Sequence, residues 1–137
     1  MSASRSRLLG VAALGVLAAA GLGGAGWGAY RVQERSLLAA AVETGGDPLA
    51  GRAAMPRFGC PYCHTIPGVT GARGLVGPPL EHLANRVYVG GKLVNTPENL
   101  VRWLLDPPAV SPGTAMPRTG LDADTARDIA AYLYTLR

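Results

Sequence analysis

The sequence predicts an all-α domain of three to four helices with long loops, preceded by an N-terminal transmembrane helix. Apolar residues recur at helical spacing towards the C-terminus, within residues 97–105 and 123–136. Glycine and proline crowd the stretches between the helical segments, which are therefore loops. Loops this long in so small a domain need something inside to pack against.

The N-terminal segment is predicted to be a membrane anchor, because residues 8–30 contain no charged side chain. A helix of that length, at a rise of ~1.5 Å per residue, reaches about 35 Å and can cross a bilayer core of ~30 Å. A cleaved signal peptide is the alternative, since small residues at 18–20 follow a basic start and an apolar core. Trp27 and Tyr30 stand where aromatic belts form, which favours an uncleaved anchor over residues 1–30.

Residues 31–46 are predicted to be a stalk that could extend the membrane helix, or a linker, ending at a pair of glycines. Asp47 then has the character of an N-cap, and Pro48 suits the first turn of a helix, where its missing N–H costs nothing. This helix should run to about Met55, because Pro56 cannot continue it. The C-terminal domain is therefore expected to occupy residues 47–137.

The middle of this domain is predicted to be mostly loop. Residues 65–79 are rich in glycine and proline. A short helix is expected next, because apolar residues recur at helical spacing at Leu80, Leu83, Ala84 and Val87. Residues 87–94 then predict a small hairpin that turns at Gly90-Gly91.

Two further helices are predicted near the C-terminus. Thr96 caps one that begins at Pro97 and is ended by Pro107-Pro108, after which residues 109–120 form a loop. Asp122 caps the last helix. Its inward face is predicted to carry Ala126, Ile129, Ala130, Leu133 and Leu136.

The charge pattern gives no support for nucleic-acid binding. The formal net charge is +4, but four of the 13 basic residues lie before residue 36. The C-terminal domain carries nine arginine or lysine residues against seven aspartate or glutamate residues. No basic stripe interleaved with aromatic side chains is present.

The chemically distinctive stretch is RFGCPYCHTIPG, residues 57–68, because it holds both cysteines of the chain and one of its two histidines. Three chemistries use a close cysteine pair. A structural zinc site needs four protein ligands, and only His82 could join Cys60, Cys63 and His64. A thioredoxin-like redox pair needs a βαβ setting, which is not predicted here. The third chemistry is covalent haem attachment, for which C-x-x-C-H is the signature.

Haem attachment explains the spacing best. Two thiols at this separation can bond to the two vinyl groups on one edge of a porphyrin, and the adjacent histidine is then carried beneath the plane, where it can bind iron. We therefore predict one covalently bound haem c, attached at Cys60 and Cys63, with His64 as an axial iron ligand.

A second axial ligand is expected if the iron is to shuttle electrons. The candidates are Met55, Met116 and His82. Met55 lies on the first predicted helix and suits core packing. His82 lies in a polar-faced segment and is expected at the surface. Met116 lies in a loop made rigid by prolines and is the predicted ligand; His/Met ligation leaves no open position for oxygen.

Residues 47–137 resemble a class I c-type cytochrome, a monohaem electron-transfer domain. The resemblance rests on a helix with glycine and an apolar residue at Gly51–Met55, the C-x-x-C-H motif, the GPPL turn at Gly77–Leu80, the loop Met116 and the AYL of the last helix. Residues 95–117, NTPENLVRWLLDPPAVSPGTAMP, resemble cytochrome c domains that accompany haem–copper terminal oxidases.

The resemblance implies a small cytochrome c fold around the haem. It implies that the carbonyl of Pro78 accepts a hydrogen bond from the far ring N–H of His64, which would fix the ring. It also places Arg86, Tyr88 and Trp103 near the haem propionates. Gly51 is expected to cross the last helix at Tyr132, where the missing Cβ permits close approach.

The function implied is that of a membrane-anchored electron carrier, with no small-molecule substrate and no enzymatic activity of its own. It would pass single electrons between a donor such as a cytochrome bc-type complex and a terminal oxidase. Cytochrome c maturation implies a bacterial inner-membrane protein whose haem domain faces the periplasm. Two alternatives remain: a fixed haem relay subunit of a dehydrogenase or oxidase complex, and a haem gas sensor, which would require Met116 to be off the iron.

Overall fold

The computed structural model describes residues 26–137. The chain divides after Arg35 into two units, and the C-terminal unit is Ser36–Arg137. None of the helices within residues 26–137 is both long enough and apolar enough to cross a membrane. Most of the predicted anchor over residues 1–30 lies outside the described residues, and the anchor stays a prediction.

Helices account for most of the described chain, as predicted. The first, α1, occupies residues 26–44. The C-terminal unit continues with α2 (Pro48–Ala54), a 3₁₀ helix (Met55–Phe58), α3 (Cys60–Cys63), a second 3₁₀ helix (Leu83–Asn85), β1 (Tyr88–Val89), β2 (Leu93–Val94), α4 (Pro97–Leu105), α5 (Pro107–Val110) and α6 (Ala123–Tyr134).

Helix α2 begins as the sequence predicts. The Asp47 side chain accepts hydrogen bonds from the N–H groups of Leu49 and Ala50, at 2.8 and 3.3 Å. The α-helix ends at Ala54, close to the predicted stop, but a 3₁₀ helix continues through Pro56. Proline is tolerated there because it stands in the first turn, where no hydrogen bond from its nitrogen is needed.

The helix predicted from the apolar residues 80–87 is wrong, because only a 3₁₀ turn forms, over Leu83–Asn85. His82 adopts a left-handed conformation, φ 54°, which an α-helix cannot include. The Asn95 side-chain amide donates to the carbonyls of Leu83 and Arg86, both at 2.9 Å. The Leu83 carbonyl also accepts from Arg86 N–H, at 3.1 Å, which is the bond of a 3₁₀ turn and not of an α-helix.

The predicted hairpin is confirmed. Tyr88 pairs with Val94 and Val89 with Leu93 in an antiparallel ladder. The turn uses positive φ at Gly90 and Gly91, 57° and 67°, which glycine adopts without a steric penalty.

The two C-terminal caps are also confirmed. Thr96 accepts a hydrogen bond from Asn99 N–H at 3.2 Å, and Asp122 accepts one from Thr125 N–H at 2.8 Å. The double proline does end α4, but it starts another helix instead of a loop. Pro107 takes the first position of α5, and Asp106 caps it by accepting from Ala109 N–H at 3.1 Å.

Helices α2 and α6 cross with their backbones in direct contact. A Cβ on Gly51 would overlap the carbonyl group of Asp128, so glycine is needed at this point. The crossing is confirmed, but the nearest backbone belongs to Asp128 and not, as predicted, to Tyr132. Tyr132 lies one turn further along α6 and donates its hydroxyl to the carbonyl of Pro67, at 2.6 Å.

The core is formed by α6 and the helices that pack on it. The predicted inward face of α6 is confirmed, since Ala126, Ile129, Ala130 and Leu133 are at most 2% exposed. Leu136 is half-buried and packs against the same cluster. The other large, fully buried side chains include Met55 and Leu100, which close one wall of the cavity described next.

Candidate functional site

A cavity of about 600 Å³ lies within the C-terminal unit, a volume typical of sites for small molecules and cofactors. Its wall is largely apolar. Core side chains from α4 and α6 line it, and so do the segment at residues 58–64, the loop at residues 76–80, the hairpin and the loop at residues 114–119. Elements distant in sequence therefore converge on one space.

The C-x-x-C-H motif forms part of this wall. Gly59 takes a left-handed conformation, φ 77°, which ends the 3₁₀ helix and starts α3. One turn of helix then places Cys60 and Cys63 on the same face, since residues three apart are neighbours. The chain becomes extended at His64, and all three residues line the cavity. Both cysteines are free and half-buried.

The electrostatics of the cysteine pair argue against a redox nucleophile. Burial raises the pKa of the Cys60 thiol, and the neighbouring Cys63 adds to the rise. Reactive cysteines of thioredoxin type have lowered thiol pKa values and a βαβ setting. Within residues 26–137 the β-structure is one two-stranded antiparallel hairpin and one isolated bridge. The pKa of the Cys60 thiol is shifted the opposite way, and residues 26–137 do not contain that setting.

His64 is held in a fixed orientation by two contacts. Its ring Nδ1 lies 2.7 Å from the carbonyl oxygen of Pro78, so the predicted hydrogen bond is present. Because a carbonyl only accepts, Nδ1 carries a proton, and in the neutral ring the lone pair then lies on Nε2. Gly77 packs on the ring so closely that a Cβ there would overlap it. The free lone pair on Nε2 is what a metal needs from histidine.

The candidates for a second axial ligand are placed differently. Met116 is half-buried and lines the cavity, which His64 also lines. Met55 lines it too, but it is fully buried within the core cluster. His82 is exposed and is not part of the wall. The structure therefore brings together Cys60, Cys63, His64 and Met116 and leaves His82 out.

The four residues predicted to surround the cofactor all line the same cavity: Pro78, Arg86, Tyr88 and Trp103. Arg86 is fixed to the loop beneath it, because its guanidinium donates to the carbonyls of Pro79 and Glu81. Trp103 packs on Gly90, where a Cβ would overlap the indole ring. Their roles towards a haem stay predictions.

Two features of the loop that carries Met116 were missed by the sequence reasoning. Thr119 lines the cavity, and its hydroxyl oxygen is buried without a hydrogen-bond partner among the described residues. Arg118 forms an ion pair with Asp106, at 2.6 Å. Sequence signals for both were faint, since a threonine and an arginine in a loop resemble ordinary solvated residues. Only the fold brings residue 118 to the end of α4.

The zinc alternative gains nothing from the geometry. Across residues 26–137, no three histidine, cysteine, aspartate or glutamate side chains converge in an arrangement that would hold a metal ion by themselves. Cys60, Cys63 and His64 lie in sequence along the wall of a cavity that has room for a larger group.

Comparison with known proteins gives one informative relative. No family model matches the chain. The chain is 30% identical over 103 residues to a cytochrome c oxidase subunit 2 from Alkalihalophilus pseudofirmus. The match covers 73% of this chain but only 29% of that protein. The chain is thus similar to part of an oxidase subunit.

Proposed function

We propose that the C-terminal domain holds one covalent haem c and passes single electrons, as a class I c-type cytochrome domain does. The observation that carries the proposal is the convergence of Cys60, Cys63, His64 and Met116 on one apolar cavity of about 600 Å³. Two thiols, an imidazole and a thioether are the donor set of a His/Met-ligated haem c. The residues present fit the group.

Each donor has a defined task. Cys60 and Cys63 would attach the group through thioether bonds. His64 would bind the iron through Nε2, since Nδ1 is committed to Pro78. Met116 would supply the second axial ligand. When bound, the haem supplies a one-electron couple, and His/Met ligation raises its potential and leaves no open site for oxygen.

Other residues of the chain control the surroundings. Buried apolar side chains, Met55 and Leu100 among them, keep water from one side of the cavity. A largely apolar wall of this kind is one of the means by which proteins tune redox potential. Arg86 has guanidinium N–H groups beyond those bonded to backbone carbonyls, and it is the residue in the wall suited to a propionate.

The proposed direction of electron flow is towards a terminal oxidase. It is supported by the similarity to part of an oxidase subunit 2. The donor would be a membrane complex of cytochrome bc type. We propose further that residues 1–30 anchor the chain in a bacterial inner membrane with the haem domain in the periplasm, because the covalent haem is added outside the cytoplasm.

A fixed relay subunit is the second candidate function. It is favoured by one observation, that the relative is itself a subunit of a complex and is much longer than the matched region. Solubilised membranes separate the two candidates: a relay co-purifies with its complex in fixed stoichiometry, whereas a carrier is recovered mostly free. Binding of carbon monoxide by the reduced protein would instead favour a gas sensor, since it requires Met116 to leave the iron.

A denaturing gel stained for haem peroxidase activity tests the covalent haem. The full chain, matured by a cytochrome c assembly system, should give a stained band. Cys60→Ala and Cys63→Ala should each give little or none. Tyr62→Phe is the matched control, since this residue lies between the cysteines with an exposed side chain. An unstained wild-type band would overturn the proposed function.

A further inference from the structure

The loop that carries Met116 has few connections to the rest of the unit. We define the Met116 loop as residues 112–121, which form no helix or strand. Two of its hydrogen bonds are local: Met116 N–H donates to the Thr114 hydroxyl at 3.3 Å, and Thr114 N–H donates to the carbonyl of Ser111, just before the loop, at 3.1 Å.

Beyond these local bonds, one side-chain contact ties the loop to a helix. Among the described residues, the hydrogen bond that joins residues 112–121 to an element outside the loop runs from Arg118 Nη2 to Asp106 Oδ2, at 2.6 Å. Apolar packing of Met116 and Leu121 against the core provides the remaining attachment. Arg118 stands only two residues after Met116, so this contact restrains the chain at the ligand itself.

The other end of the contact is a fixed point. Asp106 closes α4, where its N–H donates to the carbonyl of Arg102 at 3.2 Å. Its second carboxylate oxygen caps α5 by accepting from Ala109 N–H at 3.1 Å. Helix α4 also carries Trp103 and Leu104 in the cavity wall. One carboxylate therefore links the loop to a helix that forms part of the cavity wall.

We propose that the Asp106–Arg118 ion pair is a latch on the Met116 loop, which sets how often Met116 is released and replaced by an external ligand. Arg118 is then a positioning residue and binds nothing in the cavity. The inference rests on the proposed function only in naming Met116 as the ligand that is released. The loop and the ion pair do not depend on that function.

The Asp106–Arg118 ion pair is a weak interaction. The side chains of Arg118 and Asp106 are 65% and 35% exposed. Exposed ion pairs contribute little and are screened by salt. A contact of this strength biases local opening without locking the loop, because opening of such segments costs far less than global unfolding. Added salt should therefore loosen the loop while leaving the helices intact.

The test uses the full, haem-loaded chain and the variant Arg118→Gln, which breaks the ion pair and keeps the Asp106 cap. In this variant, imidazole should bind to the oxidised protein about two- to fivefold faster. Loss of the methionine–iron charge-transfer band reports the binding. Wild-type protein in high salt should approach the same rate. Arg118→Lys should restore most of the slow rate.

Two controls keep the result specific. Arg127→Gln breaks a comparable exposed pair, with Asp124, that lies within α6 and includes no residue of the loop; it should leave the imidazole rate unchanged. The double variant Asp106→Asn with Arg118→Gln should bind imidazole no faster than either single variant, since each change alone already removes the ion pair. Equal effects of Arg127→Gln and Arg118→Gln would overturn the latch, because they would indicate general destabilisation.

Hydrogen exchange of the amides in residues 112–121 gives a second readout that needs no haem. It should rise in Arg118→Gln by the same two- to fivefold factor, with exchange in α6 unchanged. A chain that carries no haem but shows this rise would overturn the proposed function and leave the latch. A haem-bearing chain with unchanged loop exchange would overturn the latch alone.

Discussion

Gly77→Ala is the substitution that most directly tests how His64 is held. The backbone at Gly77 is compatible with alanine, since its φ is outside the left-handed region. The added Cβ would nevertheless overlap the His64 ring. The ring must turn, and its 2.7 Å hydrogen bond to Pro78 is then lost.

The expected cost follows from two contributions. Inserting a methyl group into a packed site costs about 1–3 kcal/mol. Loss of one hydrogen bond adds roughly 0.5–1.5 kcal/mol. The free energy that holds the imidazole in place should therefore fall by about 1.5–4.5 kcal/mol, roughly a tenfold or larger change in the occupancy of the productive orientation.

The assay is spectroscopic. In protein matured by a cytochrome c assembly system, Gly77→Ala should retain the proposed covalent haem but show a substantial high-spin fraction and a lower midpoint of thermal unfolding. Gly71→Ala is the control: it lies in the neighbouring loop with φ 78° and nothing within 4 Å of the added Cβ, so it strains backbone without touching His64. A low-spin spectrum and unchanged stability in Gly77→Ala would refute the argument that Gly77 and Pro78 together fix the ring.

Three further predictions follow from the same structure. Met116→Ala should keep the haem but lower its reduction potential and give a high-spin or misligated spectrum, because the thioether favours ferrous iron; an unchanged potential in a redox titration would move the ligand role to another residue. Burial raises the pKa of Tyr134 to about 12, with Glu43 and Glu98 adding to the rise. The unfolded chain loses that proton near pH 10, so stability should fall as pH rises from about 10 to about 12. In alkaline denaturation curves, Tyr134→Phe should make this loss of stability shallower, and a loss as steep as in wild type would contradict the reasoning. At neutral pH the same change should lower the free energy of unfolding by about 1 kcal/mol, because the hydrogen bond to Asn95 is lost. Electron transfer to a partner should depend only weakly on ionic strength, because the domain carries nearly balanced charge and such contacts bury less than ~1,200 Å²; a steep fall of the rate with salt would reveal a local charge patch.

Local signals in the sequence were sufficient for the helix starts. Asp47, Thr96 and Asp122 cap the helices they were expected to cap, since a cap needs only its own side chain and the next three residues. The glycine pair of the hairpin is equally local. The motif residues Cys60 to His64 were likewise predictable as one unit of the site.

What the sequence could not predict depends on contacts between distant residues. The apolar spacing at 80–87 indicated a helix, but Asn95, from beyond the hairpin, donates to the carbonyls of Leu83 and Arg86 and stabilises a non-helical course of this segment. The partner of Gly51 is set by how α2 lies across α6, which no local pattern encodes. The ion pair of Arg118 with Asp106 depends on the course of a whole loop.

The bonding of Asn95 has a consequence for chemical ageing. Its amide nitrogen donates to two carbonyls, and its amide oxygen accepts from the Tyr134 hydroxyl at 3.2 Å. Aspartate has nearly the same shape but offers acceptors only, so it would set a negative oxygen against two carbonyl oxygens. Hydrolysis of this single amide would thus replace the hydrogen bonds to the 3₁₀ turn and to the residue before the hairpin with electrostatic repulsion. A change of one side-chain group would thus destabilise the domain without any loss of buried area.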